Sequence, residues 1–318
     1  MQEEKKSGLL AKLAGERDFG ALRRLLDWRR ERRWRLERAA MYAGADVLVL
    51  SRTKSGRTWL RVMLSHLYHL RYGVPVDELL RFDNFHRIDP AIPRIHFSHD
   101  TTFAHHRPGG RPLQATGRQR LLFLVRDPRD VAVSFHFHVR SRAPDRELKH
   151  KGIPASAREL PLDDFVLDER FGAPQVIEFL NKWWTEAERY PAATFLRYED
   201  LRAETTGELG RIAAFLGHHF SADELAQAAA FASFEQLRER ERSGFFNSGR
   251  LAPVRADDPD SYKVRQGRVG GYREAVSSRS AAALDRMVAE RLEPGYGYRA
   301  HGTTAPIARS PVCGAQRP

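Results

Sequence analysis

A chain of 318 residues with 42% apolar side chains is long enough to bury a substantial core, as one large domain or two small ones. Its 53 Lys and Arg against 41 Asp and Glu leave a formal charge of +12, which favours anionic partners: nucleotides, nucleic acid, anionic sugars or lipid headgroups. No run approaches the roughly 18 apolar residues of a membrane-spanning helix, MQEEKKSGLL lacks the apolar stretch of a secretory signal, and the single cysteine, Cys313, excludes an intrachain disulfide or a cysteine-built zinc site, so a cytoplasmic protein is expected.

In chain order, Met1 to Ala40 holds twelve Lys and Arg against seven Asp and Glu and ends in WRRERRWRLER. Leu9, Leu10 and Leu13, then Leu22, Leu25 and Leu26, recur at helical spacing, which predicts a basic amphipathic helical arm over residues 1–44. A solvated helix is the preferred reading of it, with peripheral membrane contact second. A single domain follows over residues 45–298, then a flexible tail over 299–318. Within the domain, VLVLS (Val47 to Ser51), IHFS (Ile95 to Ser98), LLFLV (Leu121 to Val125) and TFL (Thr194 to Leu196) are short apolar runs expected of strands buried on both faces. Helical patterns cover Trp59–Leu70, Asp130–Val139, Ala173–Arg189, Thr206–Leu216, Ala222–Phe231 and Ser278–Leu292. Strands alternating with helices predict an α/β domain with a mainly parallel central sheet, whose ligands sit at the carboxyl ends of the strands.

Two of those strand ends carry charge. SRTKSGRTWL breaks after the first strand into a basic loop and resumes as a helix with Leu60, Met63, Leu64 and Leu67 on one face. The N–H groups of Gly56, Arg57 and Thr58 then lie in a first helical turn, where they have no intrahelical partner and face whatever anion occupies the loop. Lys54 adds a point charge and Thr58 a hydroxyl. A Walker loop needs G-x-x-x-x-G-K-[ST], whereas here the lysine precedes the glycine, so the loop reads as a phosphate site that is not an ATPase loop. RLLFLVRDPRDVAVSFHFH repeats the scheme, with Arg126 just past its strand and Ser134 eight residues on. Arg126 has the fork geometry for a phosphate. Two anion sites at neighbouring strand ends fit one molecule with two separate anionic groups.

These residues resemble the sulfotransferases that use 3′-phosphoadenosine 5′-phosphosulfate (PAPS). TKSGRTW is similar to the family's 5′-phosphosulfate loop, commonly PKSGTTW, and VRDPRDVAVSF to its 3′-phosphate segment. VRQGRVGGY, Val264 to Tyr272, is similar to the C-terminal R-K-G-x-x-G segment, through Arg265, Gln266 and Gly267. Fainter matches fall in family order: IHFSH at His99, RYEDL at Tyr198, and ASFEQL at Ser233 and Phe234. The resemblance spans about Ala45 to Tyr272. It implies a P-loop-nucleotide-kinase-like fold and a cofactor site of Lys54, Ser55, Gly56, Arg57, Thr58, Trp59, Arg126, Ser134, Tyr198, Ser233, Phe234, Arg265, Gln266 and Gly267. Trp59 and Phe234 sandwich the adenine, Tyr198 donates to it, and 3′-phosphoadenosine 5′-phosphate (PAP) is the product. His99 is the implied general base for the acceptor hydroxyl, with an ordinary histidine pKa of ~6.5, and Lys54 stabilises the leaving phosphate.

The chain departs from the family at four places. Phe97-Ser98-His99 stands where many members read K-T-H, so a lysine near the sulfuryl group is missing, and Arg57, where threonine is common, is the candidate replacement. Gln266 replaces a lysine, and Thr53 replaces the proline before Lys54, loosening the turn.

No metal is expected: His105/His106, His136/His138 and His218/His219 do not share a helix face as i,i+4 pairs do, and read as structural or solvated. The acceptor is a hydroxyl compound, a glycan, a lipid-linked sugar or a phenol, covered by long loops at Phe82–Pro93, Thr101–Arg118, Val139–Phe171 and Ser243–Tyr262. Two alternatives remain. A nucleotide or small-molecule kinase needs Walker glycines and an acidic Mg²⁺ ligand after a buried strand, where Arg126 stands. A nucleic-acid-binding protein needs aromatics interleaved with Lys and Arg on one surface.

Overall fold

The computed structural model describes residues 40–99 and 119–299, with Leu26, Trp28, Arg29, Arg32, Arg33, Ala305 and Ile307 besides; of 82–84 the backbone alone is described. The chain divides into two units, Met1–Ala45 and Asp46–Pro318. In the first, the described positions from Leu26 to Tyr42 are helical. The amphipathic pattern of Leu9 to Leu25, and with it the membrane-contact reading, lies outside the described residues.

The second unit is built on four parallel strands, β1 (Val47–Ser51), β2 (Ile95–Ser98), β3 (Arg120–Val125) and β4 (Ala192–Arg197), in the order β2-β1-β3-β4. All four were legible as apolar runs; β3 and β4 extend one to two residues further. The strands are uninterrupted because both faces are covered. Val47, Val49, Leu122, Leu124 and Leu196 pack with Leu60, Met63, Leu64 and Leu67 of helix α1 (Arg57–Tyr72) on one side. On the other, Phe123 meets Phe179, Trp183, Phe195 and Tyr296 at ring-centroid distances of 5.7–6.4 Å. Each such fully buried side chain contributes roughly 1.5–3 kcal/mol relative to exposure.

In chain order the remaining helices are α2 (Pro128–Ser141), α3 (Asp145–His150), α4 (Leu162–Leu167), α5 (Ala173–Glu186), α6 (Tyr198–Ala203), α7 (Thr205–Phe215), α8 (Ala222–Phe231), α9 (Phe234–Arg242), α10 (Tyr272–Ala275) and α11 (Ser278–Arg291). The stretch Val139–Phe171, read from sequence as a covering loop, contains α3 and α4. Pro144 followed by Asp145 and Glu147 is a helix-start signal with acids in the first turn, and short length hid it. The beginning of the stretch read as a flexible tail is held: the Arg299 carbonyl accepts from Arg129 at 3.0 Å, and the Ala305 carbonyl accepts from Arg197.

Parallel register decides what meets at the carboxyl edge. Leu50 pairs with Ser98, so the residues that follow, Ser51 and His99, are neighbours. Val125 pairs with Arg197, which sets Arg126 beside Tyr198. Ser51 pairs with Leu124, which brings the loop after β1 against the one after β3.

Candidate active site

A cavity of about 600 Å³ opens at this edge. Lys54, Gly56, Arg57, Thr58, Trp59, His99, Arg126, Ser134, Tyr198, Phe234, Arg265, Gln266 and Gly267 all line it, although they come from six separate stretches of chain. Ser55 and Ser233 do not. Ser55 is buried under the loop, 1% exposed, and Ser233 caps α9, its Oγ accepting from the Gln236 N–H at 3.3 Å.

The loop that begins the cavity reverses through two left-handed residues, Lys54 at φ 78° and Gly56 at φ 91°. Gly56 is the N-cap of α1, no side chain caps that terminus, and no acidic residue stands in its first turn. The N-terminal amides and the positive end of the helix macrodipole are therefore not neutralised from within the helix. Glycine is required at position 56 twice over, because a Cβ there would lie 2.6 Å from Cδ2 of Tyr198. Gly56→Ala is expected to destabilise the protein by about 1–3 kcal/mol through the strained φ and the displaced ring. Denaturant unfolding measures this; an unchanged midpoint at unchanged slope contradicts it.

Arg126 links the two phosphate-like loops. It donates to the Lys54 carbonyl at 3.2 Å and the Arg268 carbonyl at 3.0 Å, and its guanidinium lies 4.3 Å from the centroid of the Tyr198 ring. Its Nε is buried with no hydrogen-bond partner. The Tyr198 hydroxyl donates to the Gly267 carbonyl at 3.3 Å, and its ring packs against Gly56 and edge-on to Trp59. Trp59 in turn donates through Nε1 to the Ala232 carbonyl at 2.8 Å. Gly267, at φ 64°, leaves room for Phe234, whose Cδ2 would sit 2.9 Å from an added Cβ.

Asp130 holds the C-terminal segment in place. Its carboxylate accepts from the N–H groups of Gly270 at 2.8 Å and Tyr272 at 3.0 Å, which draws Arg265 to Gly267 over α2, where Ser134 sits. Behind it, fully buried Arg129 joins Asp127 at 2.7 Å to Asp285, and Tyr272 donates its hydroxyl to Asp285 at 2.6 Å. Asp127, Arg129 and Asp130 were visible in RDPRD, but the sequence reading gave them no part. Nothing local in the sequence shows that their partners lie about 140 residues away.

His99 donates from Nδ1 to the Ser51 carbonyl at 2.9 Å, the contact that register predicts. A carbonyl accepts only from N–H, so the neutral ring carries its proton on Nδ1 and keeps the Nε2 lone pair. The expectation of an ordinary pKa does not hold: burial first, then the Arg57, Lys151 and Lys263 charges, hold the imidazole well below the usual histidine value. Lys54 is pushed down to about 7, again chiefly by burial and then by Arg142 and Arg126.

Several lining residues were missed. Lys151 of the α3 end donates to Glu147 at 2.6 Å and to Thr53 Oγ1 at 3.4 Å, so Thr53, in the proline position, anchors a second lysine beside the loop. Glu147 also accepts from His138 Nε2 at 2.9 Å; His138 is thus a cavity residue rather than a structural or solvated one. Arg142 donates to Glu241 at 3.3 Å, and Lys263 donates to the Arg250 carbonyl at 2.9 Å. Phe97, at the missing-lysine position, is buried beneath the Arg61 guanidinium, 4.3 Å from the ring centroid. Among the other histidines, His136 bonds the Leu160 carbonyl at 3.1 Å and His218 the Tyr72 hydroxyl at 3.2 Å; His105 and His106 lie outside the described residues. Among the described residues no group of three or more His, Cys, Asp or Glu is placed to hold a metal ion, and no helix is long and apolar enough to cross a membrane.

The family model of the Sulfotransferase domain matches residues 44–294. The chain belongs to the sulfotransferase family. It is a transferase of the sulfuryl-transferring class, with the P-loop-kinase-like fold of that family. This sulfotransferase is 24% identical over 267 residues to cytosolic sulfotransferase 12 of Arabidopsis thaliana, covering 78% of each chain. It is 24% identical over 273 residues to flavonol 4'-sulfotransferase of Flaveria chlorifolia, covering 78% of this chain and 79% of that one. The solved structure of retinol dehydratase in complex with androsterone and the inactive cofactor PAP superposes with a TM-score of 0.54 at 18% identity, over 78% of this chain and 80% of that one, a likeness of fold. The kinase and nucleic-acid readings of the sequence give way to the family match.

Proposed function

We propose that this sulfotransferase moves the sulfuryl group of PAPS to an acceptor hydroxyl, with His99 as general base and Lys54 and the α1 N-terminus on the leaving phosphate. The observation that carries the reading is the convergence on one cavity of two anion cradles and a histidine. One cradle is the uncapped α1 terminus with Lys54; the other is Arg126, with its unsatisfied Nε, beside Ser134, Arg265 and Gly267. The family match and the PAP held by a structural neighbour support the donor.

PAPS supplies an activated sulfuryl group. The protein's part is positioning and charge stabilisation, as in phosphoryl transfer. Arg126, Ser134 and Arg265 hold the 3′-phosphate end, and Trp59 and Phe234 flank the adenine. His99 Nε2 takes the acceptor's proton as its oxygen attacks sulfur, and the bond from sulfur to the phosphate oxygen breaks. Lys54 and the amides of Gly56 to Thr58 hold the charge that appears on that oxygen. Arg57 brings a further cation toward His99, joined there by Lys151, so the charge missing at Phe97 has two sources rather than one. Flavonol and androsterone, in the names of relatives and neighbours, support a hydroxyl-bearing acceptor, and the cytosolic naming of relatives supports a cytoplasmic place of action.

Lys54 gives the reading a pH signature. With its pKa near 7 rather than 10.5, the lysine is largely neutral in the free protein above pH 7. A bound phosphate favours the ammonium and raises the pKa, so binding takes up a proton between pH 7 and the bound value. PAP affinity is expected to fall with rising pH above 7, by at most about tenfold per unit, and to level off below 7. Calorimetry at pH 8 in two buffers of different ionisation enthalpy reads the uptake; equal heats in both count against it. Activity itself is tested by transfer of labelled sulfate from PAPS into a cell extract, with identification of the product. Absence of any labelled product with folded, PAP-binding protein contradicts the proposal.

A further inference from the structure

The cavity holds more positive charge than its two anion cradles use. Ten Lys and Arg line it, against the carboxylates of Asp130 and Glu147 alone. Asp130 is occupied by two backbone N–H groups, and Glu147 by His138 and Lys151. Arg142 has Glu241, Arg265 has Asp260 at 3.7 Å, and Arg268 has Glu274 at 2.5 Å. Lys263 is not so matched, and neither is Lys54. The Lys263 Nζ donates to the Arg250 carbonyl at 2.9 Å, and among the described residues no carboxylate lies within ion-pair distance of it. Two of its three N–H donors are therefore left over. Burial first, then the surrounding cations Lys54, Arg57, Arg142 and Arg61, hold its pKa well below the lysine value, so an anion bound beside it favours the protonated form.

Its side-chain hydrogen bond ties it to the stretch after α9, although its charge also reaches Lys54 and Arg57 of the first cradle. The carbonyl it binds belongs to the stretch Gly249–Val254, where Leu251, Ala252, Pro253 and Val254 form an apolar wall of the cavity. Its charge is felt at His99, the group that meets the acceptor hydroxyl, together with those of Arg57 and Lys151. Resting on the proposed sulfuryl transfer, we propose that the acceptor is itself an anion: a hydroxyl compound with an apolar body and a carboxylate, sulfate or phosphate that pairs with Lys263. An acidic acceptor supplies the counter-charge the site lacks, and the apolar wall covers its body. A neutral acceptor gains no charge-assisted bond to Lys263, so the site favours the anion.

The test uses one acid and its neutral isostere, 4-hydroxyphenylacetate and 4-hydroxyphenylacetamide, titrated calorimetrically into the full chain saturated with PAP. The acid is expected to bind at least about tenfold more tightly, the worth of one charge-assisted hydrogen bond. Lys263→Met should bring acid and amide within about threefold of each other while leaving PAP affinity within about threefold, and Lys263→Arg should keep the preference. Equal binding of acid and amide, binding of neither, or a preference that survives Lys263→Met overturns the proposal. So does a loss of PAP affinity in Lys263→Met as large as the loss of acid binding, which assigns the lysine to the donor. The PAP titration that precedes the comparison reads the donor independently: if PAP does not bind, the sulfuryl-transfer reading fails, and the acid and amide run without it still report on Lys263.

Discussion

His99→Ala is expected to lower kcat/KM for sulfuryl transfer by about 10²–10⁴-fold, the range of a positioned general base, while PAP affinity and the melting temperature stay near wild type. The size follows from the ring's single available nitrogen. Nδ1 is committed to the Ser51 carbonyl at 2.9 Å, so the side chain lining the cavity presents Nε2, in the neutral form that a base needs. The depressed pKa keeps that form fully populated at neutral pH in the free protein. A base with a weak conjugate acid gains little driving force, and the negative charge of a bound donor corrects this by raising the imidazole pKa toward neutrality. His99→Gln keeps a polar group of similar reach but no base of suitable pKa, and should be as inactive as alanine. Turnover within tenfold of wild type in either variant contradicts the assignment, and loss of PAP binding with it would show a structural defect instead.

Lys54→Met should reduce kcat by about 10²–10³-fold, with a smaller loss of PAP affinity of about tenfold. The lysine bears on charge that grows on the leaving oxygen, so its removal costs the transition state more than the ground state. Its backbone is left-handed at φ 78°, and the tie from Arg126 to its carbonyl is made by the main chain, so the substitution removes the ammonium without releasing the loop. Equal proportional changes in kcat and PAP affinity would reassign Lys54 to ground-state binding. Single-turnover rates with saturating donor separate the two.

The sheet was legible because burial on both faces writes strands as unbroken apolar runs, and VLVLS and IHFS match their strands to the residue. The loop chemistry was legible because a strand end followed directly by a helix start fixes where Gly56 to Thr58 face. The parallel register then accounts for the meeting of His99 with Ser51 and of Arg126 with Tyr198. What stayed hidden depends on contacts between distant parts of the chain. Lys151 and Lys263 reach the cavity from α3 and from the stretch before Arg265, and no local pattern distinguishes them from the other basic residues of a chain charged +12. The Asp130 clasp and the buried Arg129 network belong to the same class: the acids were visible, but the backbone donors they hold lie far downstream. The pKa values of His99 and Lys54 also depend on burial and this gathering of charge, which is why the ordinary value expected of His99 failed.

The central claim, a site for a nucleotide with phosphates at both ends, is tested most directly by titrating the protein with PAP, with 5′-AMP and with ATP and Mg²⁺. Removal of the 3′-phosphate strands Arg126 and Arg265 without a ligand charge, so PAP is expected to bind about 10²-fold or more tightly than 5′-AMP, two charge-assisted contacts being lost. ATP with Mg²⁺ should compete weakly. Equal affinity for PAP and 5′-AMP, or tight binding of ATP and Mg²⁺ alone, would contradict the account.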